Sequence, residues 1–325
     1  VTLQEICRPI LSELTEFENQ FKSTLSSDVL LLNEIVDHII SHTGKRLRPI
    51  LVLLSAKLVG QVTPHAMKSA ILIELLHTAT LLHDDVVDES ELRRGSPTVN
   101  AIWKNKVAIL SGDYLFAKVL ENLVELRENQ SFKILSQVSQ RMSQGELLQI
   151  ERNRDYFMDE SIYYRLIADK TASLIAASCE LGALTSKAPN AAEHAEKLKN
   201  FGENLGIAFQ IKDDLLDYVG NQHRTGKPVG NDIIENKITL PLLYVLKKMP
   251  PEQTRQIIEI FENDQSAENV EKIQQFVREN GGLQYAERQA EKFIQQATKI
   301  LDDYADSECK KSLQALTRYI TNREK

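Results

Sequence analysis

Apolar residues recur along most of the chain at the three-and-four spacing of an amphipathic helix, and strict apolar–polar alternation is nearly absent. The periodicity predicts helices over 28–42, 47–60, 65–89, 98–127, 131–152, 159–184, 191–219 and 236–249, with several more amphipathic helices to the end. The breaks are legible. Thr43-Gly44 stops one helix, and Arg48-Pro49 opens the next, where an early proline is tolerated. Gly60 and Pro64 bracket a turn, Gly95-Ser96-Pro97 closes another, and Lys187 to Asn190 reads as a connector. Gly220 to Gly230, GNQHRTGKPVG, is the longest loop-like stretch. No low-complexity segment, short repeat or composition shift divides the chain. The pattern implies an all-α fold, with residues 1–325 as one domain and the core built from helices.

Composition sharpens this picture. Only 13 glycines and 9 prolines occur in 325 residues. That is below the usual share of roughly one residue in eight, so the helices should be long. The formal net charge of -7 and the lack of a long basic run argue against a nucleic-acid surface. Cys7, Cys179 and Cys309 are odd in number and far apart. They form neither a disulfide framework nor a zinc site, and they point to a reducing, cytoplasmic setting. No stretch reads as a signal segment or a transmembrane span. Val1 stands where Met is expected, which suggests a trimmed start.

The candidate chemistry is acidic. The almost wholly apolar run from Ala70 to Leu82 ends in HDDVVDESELRRG, which places Asp84, Asp85 and Asp88 at the end of an oily helix. A second cluster, Asp213, Asp214 and Asp217, follows Gln210 on the same helix face. Like charges at this spacing repel, and two such clusters facing each other would need a counter-ion. A hard divalent cation, Mg²⁺ above all, is held by one or two carboxylates together with substrate phosphates. The bland alternative is a solvated helix end. Asp302, Asp303 and Asp306 repeat the spacing in a polar region with no apolar wall and no paired arginines, and there the solvated face is the better reading.

The surroundings of the first two clusters are cationic. GKRLRP (44–49) gathers Lys45, Arg46 and Arg48 at a helix start, where free N–H groups also favour anions. Arg93 and Arg94 follow the first cluster. Lys170-Thr171 sits in an apolar helix, where an unpaired lysine would be costly. Lys227 and Lys237 follow the second cluster. Each alone would pass as a surface charge. Together they suit phosphate oxygens, and a protein holding two diphosphates beside an oily cavity uses them all.

GKRLRP, the first DDxxD with its RRG, the KT pair, QIKDDLLD and the GK…ENK tail occur in that order. In this the chain resembles the trans-type prenyl diphosphate synthases over about residues 35–245, and within them the long-chain, octaprenyl-like branch. Thr43 stands where many relatives carry glycine. The resemblance implies a bundle of long antiparallel helices around a deep central cavity, usually homodimeric. It implies that Asp84 and Asp88 bind Mg²⁺ that bridges an allylic diphosphate, with Asp85 in support. Asp213 would bind a further Mg²⁺, with Asp214 and Asp217 acting directly or through water. Arg93, Lys170 and Lys227 would contact the allylic diphosphate. Lys45, Arg48, His77 and Arg94 would hold isopentenyl diphosphate, and Thr171, Gln210 and Lys237 would complete the site. His77 taken alone is as easily a core residue, but it lies two turns before Asp84 on the same face.

The implied reaction is a head-to-tail condensation. Product length follows from depth along the first acidic helix, which rises ~1.5 Å per residue. Ala79 and Thr80 lie about one turn below Asp84. Short-chain relatives place bulky aromatics at that level, so the small residues imply a long product. Leu76 and Leu75 form the next layer. Phe132 and Leu135 are candidates for a deeper floor and equally for ordinary core. Four alternatives stand beside this reading: a farnesyl- or geranylgeranyl-length product, a non-catalytic subunit of a heteromeric synthase, a class I terpene cyclase and a ferritin-like bundle. The cyclase would lack the second aspartate motif and the Lys45/Arg48 pair. The ferritin-like bundle would need more than the one Glu74-x-x-His77 pair.

Overall fold

The computed structural model describes residues 1–42, 44–219, 230–263 and 266–321, and most of them are helical. The first helices are α1 (Leu3–Cys7), α2 (Leu11–Thr24), α3 (Leu30–Ser41), α4 (Leu47–Val59), α5 (Pro64–Val87) and α6 (Val99–Leu126). They continue as α7 (Asn129–Arg152), α8 (Glu160–Ile167), α9 (Ser173–Leu184) and α10 (Ala191–Val219). The last are α11 (Asn231–Ile234), α12 (Leu240–Lys248), α13 (Pro251–Asn263), α14 (Ala267–Glu279), α15 (Gly282–Leu301) and α16 (Glu308–Thr321).

Polar caps set the starts that matter for the site. The Thr63 hydroxyl accepts the Ala66 N–H at 3.1 Å and Pro64 takes the first position of α5. Thr98 caps α6 in the same way, and Asp159 caps α8 through the Ser161 N–H at 2.9 Å.

Four features were not legible in the periodicity. α1 and α2 precede the first predicted helix. The segment predicted from 236 starts helically only at Leu240, because Thr239 is extended as its cap and Asn236 is left-handed. The segment predicted over 159–184 is broken by a π-helical turn at Ala168–Ala172, which carries Lys170 and Thr171. A two-residue hairpin, β1 (Leu92–Arg93) against β2 (Ser96–Pro97), closes the first acidic motif. Its turn residues Arg94 and Gly95 both have positive φ, 55° and 77°, the primed geometry that suits a twisted hairpin.

The described chain groups into two compact units. One comprises Val1–Ser139, Leu174–Gly202 and Ile300–Tyr319. Here α5 packs against α4, α6 and α2. Ile71, Leu72, Ile73, Leu75, Leu76 and Ala79 are at most 4% exposed, so this helix is buried on all sides. The other unit comprises Gln140–Ser173 and Glu203–Lys299, with Ile320–Lys325. Its core gathers Tyr163, Ile211, Tyr218, Leu240, Leu243 and Phe261. Among the described residues no helix is long and apolar enough to cross a membrane, and all three cysteines are buried free thiols.

Candidate active site

In the first unit, α5 delivers Asp84 and Asp85 in its last turn, and Asp88 is its C-cap. Asp85 is buried, and its Oδ1 accepts Arg93 Nε at 2.8 Å and a terminal guanidinium nitrogen at 2.7 Å. The hairpin folds Arg93 back to compensate the charge that the oily helix buries. The Arg94 guanidinium lies directly over Gly44, where a Cβ would come within 2.2 Å of it. The glycine of GKRLRP is therefore a seat for this arginine.

The basic residues of that motif divide. Arg46 is left-handed at the start of α4, buried, and paired with Glu18 at 3.1 Å and Glu74 at 2.7 Å over the Phe17 and Phe21 rings. It is structural, and it engages the Glu74 carboxylate. Lys45 lies 5.1 Å from the Tyr319 ring centre. Arg48 lies 2.9 Å from His77 Nε2. A guanidinium only donates, so Nε2 is the acceptor and the ring is neutral. Burial and the charges of Arg48, Arg94, Arg93 and Arg46 hold the His77 pKa well below its ordinary value. Several guanidiniums around a neutral imidazole suit an anion. In the same unit Ala79, Leu76 and Leu75 are fully buried, and half-buried Thr80 donates to the His77 carbonyl at 2.9 Å. Leu135 is buried, whereas Phe132 is 44% exposed.

In the second unit one pocket of about 120 Å³ is lined by Lys170, Thr171, Gln210, Asp214 and Lys237, all named by the sequence. The π turn aims the KT pair. Lys170 is not isolated in its apolar helix: Glu146 receives its ammonium at 2.6 Å and Gln149 at 3.0 Å. α7 approaches closely because residue 145 is glycine, and a Cβ there would stand 2.7 Å from the Lys170 nitrogen. Thr171 donates to Gln210 Oε1 at 2.8 Å, and Gln210 donates to Asp214 Oδ1 at 2.9 Å. Tyr163 donates to Asp214 Oδ2 at 2.7 Å. Asp217 receives the backbone N–H groups of Asn231 and Asp232, each at 3.0 Å, and so caps α11. Asp213 stands half-buried on α10 beside Asp214, and Lys237 pairs with Glu235. Lys227 and Thr43 lie outside the described residues.

Burial dominates the electrostatics of this acidic face. It pushes Asp214 up to about 6 against the hydrogen bonds from Tyr163 and Gln210. It also raises Asp217, and together with the Asp214 and Asp217 charges it raises Asp232 well above the usual carboxylate range. Carboxylates crowded and dried in this way favour a bound cation. Among the described residues, no three histidine, cysteine or carboxylate side chains converge as a ready metal cage. A hard cation here would complete its oxygen shell from a substrate. The third aspartate triplet differs: Asp302, Asp303 and Asp306 are exposed, with Asp303 paired to Lys197 and Asp306 to Lys310.

Sequence reasoning missed Tyr163, Glu146, Gln149 and Asp232. Glu146 and Gln149 stand one helical turn apart just after a glycine, a spacing that marks one face. Nothing local marks Tyr163 or Asp232, which the tertiary fold alone brings to Asp214.

The pattern that defines the polyprenyl synthetase family matches residues 29–279. An all-trans-nonaprenyl-diphosphate synthase (geranyl-diphosphate specific) from Rhodobacter capsulatus is 36% identical over 98% of both chains. Component 2 of a heptaprenyl diphosphate synthase from Geobacillus stearothermophilus is 34% identical over 96% of both chains. The crystal structure of a polyprenyl synthase from Caulobacter crescentus CB15, complexed with calcium and isoprenyl diphosphate, superposes with a TM-score of 0.93 at 32% identity, covering 100% of this chain and 98% of that one.

Proposed function

The chain belongs to the polyprenyl synthetase family, and from that premise we propose how its residues divide the work of condensing isopentenyl diphosphate with an allylic diphosphate. It is a trans-prenyltransferase with the all-α isoprenoid-synthase fold, and it makes long-chain polyprenyl diphosphates. One observation carries the assignment of its site: Lys170 and Lys237 share a pocket with a buried, crowded carboxylate and the Thr171–Gln210 pair. Cations beside carboxylates that favour a bound metal ion suit a diphosphate taken up together with that ion.

In this reading Lys170, Arg93 and Lys227 hold the allylic diphosphate, and Lys45, Arg48, His77 and Arg94 hold the isopentenyl diphosphate. His77 serves as a neutral partner, oriented by Arg48. Thr171, Gln210 and Lys237 complete the site. Asp84 and Asp88, supported by Asp85, and Asp213, with Asp214 and Asp217, hold divalent metal. The family generally needs such an ion, and we assign it as Mg²⁺; when bound, it stabilises negative charge on the leaving diphosphate. The cation of Lys170, held in place by Glu146 and Gln149, stabilises the same charge without rearranging as the reaction proceeds. The allylic carbon–oxygen bond breaks with its electron pair leaving on the diphosphate. The isopentenyl double bond attacks the allylic cation, and the proton released goes to the departing diphosphate. The apolar wall of α5 keeps water from the cation.

The whole chain acting as one domain, a homodimer and a reducing cytoplasmic setting complete the proposal. On α6, Ile109, Leu110, Leu120 and Val124 are each at least 42% exposed. They fall within about 100° of the helix circumference, an apolar face suited to a second copy. The likeness to a component of a heptaprenyl synthase favours a second reading, a partner of different sequence.

Purified protein incubated with Mg²⁺, farnesyl diphosphate and labelled isopentenyl diphosphate, with products sized by reversed-phase chromatography, tests both. A long prenyl ladder that is lost in Asp84→Ala supports the proposal. No extension by the protein alone, but extension with an added partner chain, supports the second reading.

A further inference from the structure

Tyr163 carries a hydroxyl to which the substrate roles above give no task. It lies on α8, 2% exposed, at one end of an uninterrupted hydrogen-bonded chain. The order runs Tyr163 to Asp214 at 2.7 Å, Asp214 to Gln210 at 2.9 Å, and Gln210 to Thr171 at 2.8 Å. Only one set of donors satisfies it. An ionised carboxylate only accepts, so Gln210 turns its amide nitrogen to Asp214. Its carbonyl oxygen then faces Thr171, whose hydroxyl must donate. Both Asp214 oxygens are claimed, one by each neighbour, and the carboxylate is held in one plane.

We propose that Tyr163 is a positioning residue: by fixing Oδ2 of Asp214 it fixes the carboxylate that orients Gln210 and, through it, Thr171 of the KT turn. The inference deepens the proposed function and rests on that reading. An aspartate carboxylate turns on a broad, two-fold torsion, so one hydrogen bond alone leaves it free to swing. With the phenol gone, the donors keep their sense, but the carboxylate can swing, and the places of Gln210 and of Thr171 behind it are no longer fixed. Tyr163 touches no reacting atom in this scheme. It links the acidic face of α10 to the cation-bearing turn.

Tyr163→Phe removes the hydroxyl and keeps the ring, which packs 5.6 Å from the Tyr164 ring. Tyr164→Phe is the control, because its hydroxyl donates to Glu160 at 2.9 Å, outside the chain. The probe is Mg²⁺ with inorganic diphosphate, followed by calorimetry on the otherwise substrate-free protein. Tyr163→Phe should weaken that binding about tenfold, the scale of a hydrogen bond to a charged group. It should lower kcat by a similar factor while leaving KM for isopentenyl diphosphate unchanged. Tyr164→Phe should change neither quantity.

Wild-type binding and kcat in Tyr163→Phe, or equal losses in both variants, would overturn the inference. If Tyr163→Phe does not fold, Asp214→Glu decides. It keeps the charge but moves the carboxylate one methylene out of register with Tyr163, and wild-type binding there would equally overturn it. A wild-type protein that neither binds Mg²⁺–diphosphate nor extends isopentenyl diphosphate removes the proposed function itself. A wild-type protein that does both while Tyr163→Phe matches it removes only the inference.

Discussion

Lys104, with φ 73° and ψ 162°, interrupts α6 with a kink between two helical stretches. That region is essentially reserved for glycine, and a side chain there costs about 1–3 kcal/mol. Lys104→Gly is therefore expected to stabilise the protein by about 1 kcal/mol after the entropy of glycine is counted, raising Tm by about 1–3 °C in calorimetry. Asp214 makes a second residue-scale prediction. Its folded pKa of about 6 exceeds the ordinary 3.8, so between those values the folded chain keeps a proton that the unfolded chain has released. The stability this provides is complete below about pH 4 and is lost as pH rises through about 6. For metal-free protein, Asp214→Asn should raise the unfolding free energy by about 1–3 kcal/mol at pH 7 and far less at pH 4. Urea titrations at the two pH values check this.

At the scale of elements, the contact between α7 and the π turn places Lys170. Arg141 of α7 reaches Asp169, the neighbour of Lys170, at 2.7 Å, and Glu203 at 3.0 Å. Glu146 and Gln149 then receive the Lys170 ammonium. Gly145 permits the approach, since a Cβ there would stand 2.7 Å from the backbone nitrogen of Lys170. Gly145→Ala must push the two apart. We expect kcat to fall about 10- to 100-fold, as a displacement near 1 Å does at a reacting centre, with a loss of about 1–3 kcal/mol in stability. Steady-state kinetics beside thermal unfolding separate the two effects. The π turn itself was hidden in the sequence, because an inserted helical residue leaves the apolar spacing on either side intact.

At the scale of the whole molecule, product length is the property to test. Ala79 is completely enclosed and Thr80 is half-buried one turn below the acidic end of α5. Replacing either with Phe should shorten the product ladder read by chromatography. Ala79→Phe also overpacks a closed site, so a fall in Tm of several degrees should accompany it. Thr80→Phe has more room and should shorten the product with less loss of stability. An unchanged ladder in a folded Thr80→Phe variant would place the length control elsewhere, Phe132 and Leu135 being the next positions to vary.

Most helix positions were decided locally. Apolar spacing, threonine caps and early prolines act within a turn or two, so the predicted and observed limits of α3 to α7 agree within two residues at every end. The aspartate motifs were legible for the same reason, since residues four apart share a helix face whatever surrounds them. The partners were not legible. Arg93 on Asp85, Arg94 over Gly44, Glu146 under Lys170 and Tyr163 on Asp214 join positions that are separated by a turn of backbone or by tens of residues. Such pairs depend on how helices pack and where a left-handed residue redirects the chain. Local spacing therefore determined which charges this protein carries on each helix. Only the tertiary structure decided which charges are structural, as with Arg46, and which face a pocket, because that depends on long-range burial and on the neighbour each side chain meets.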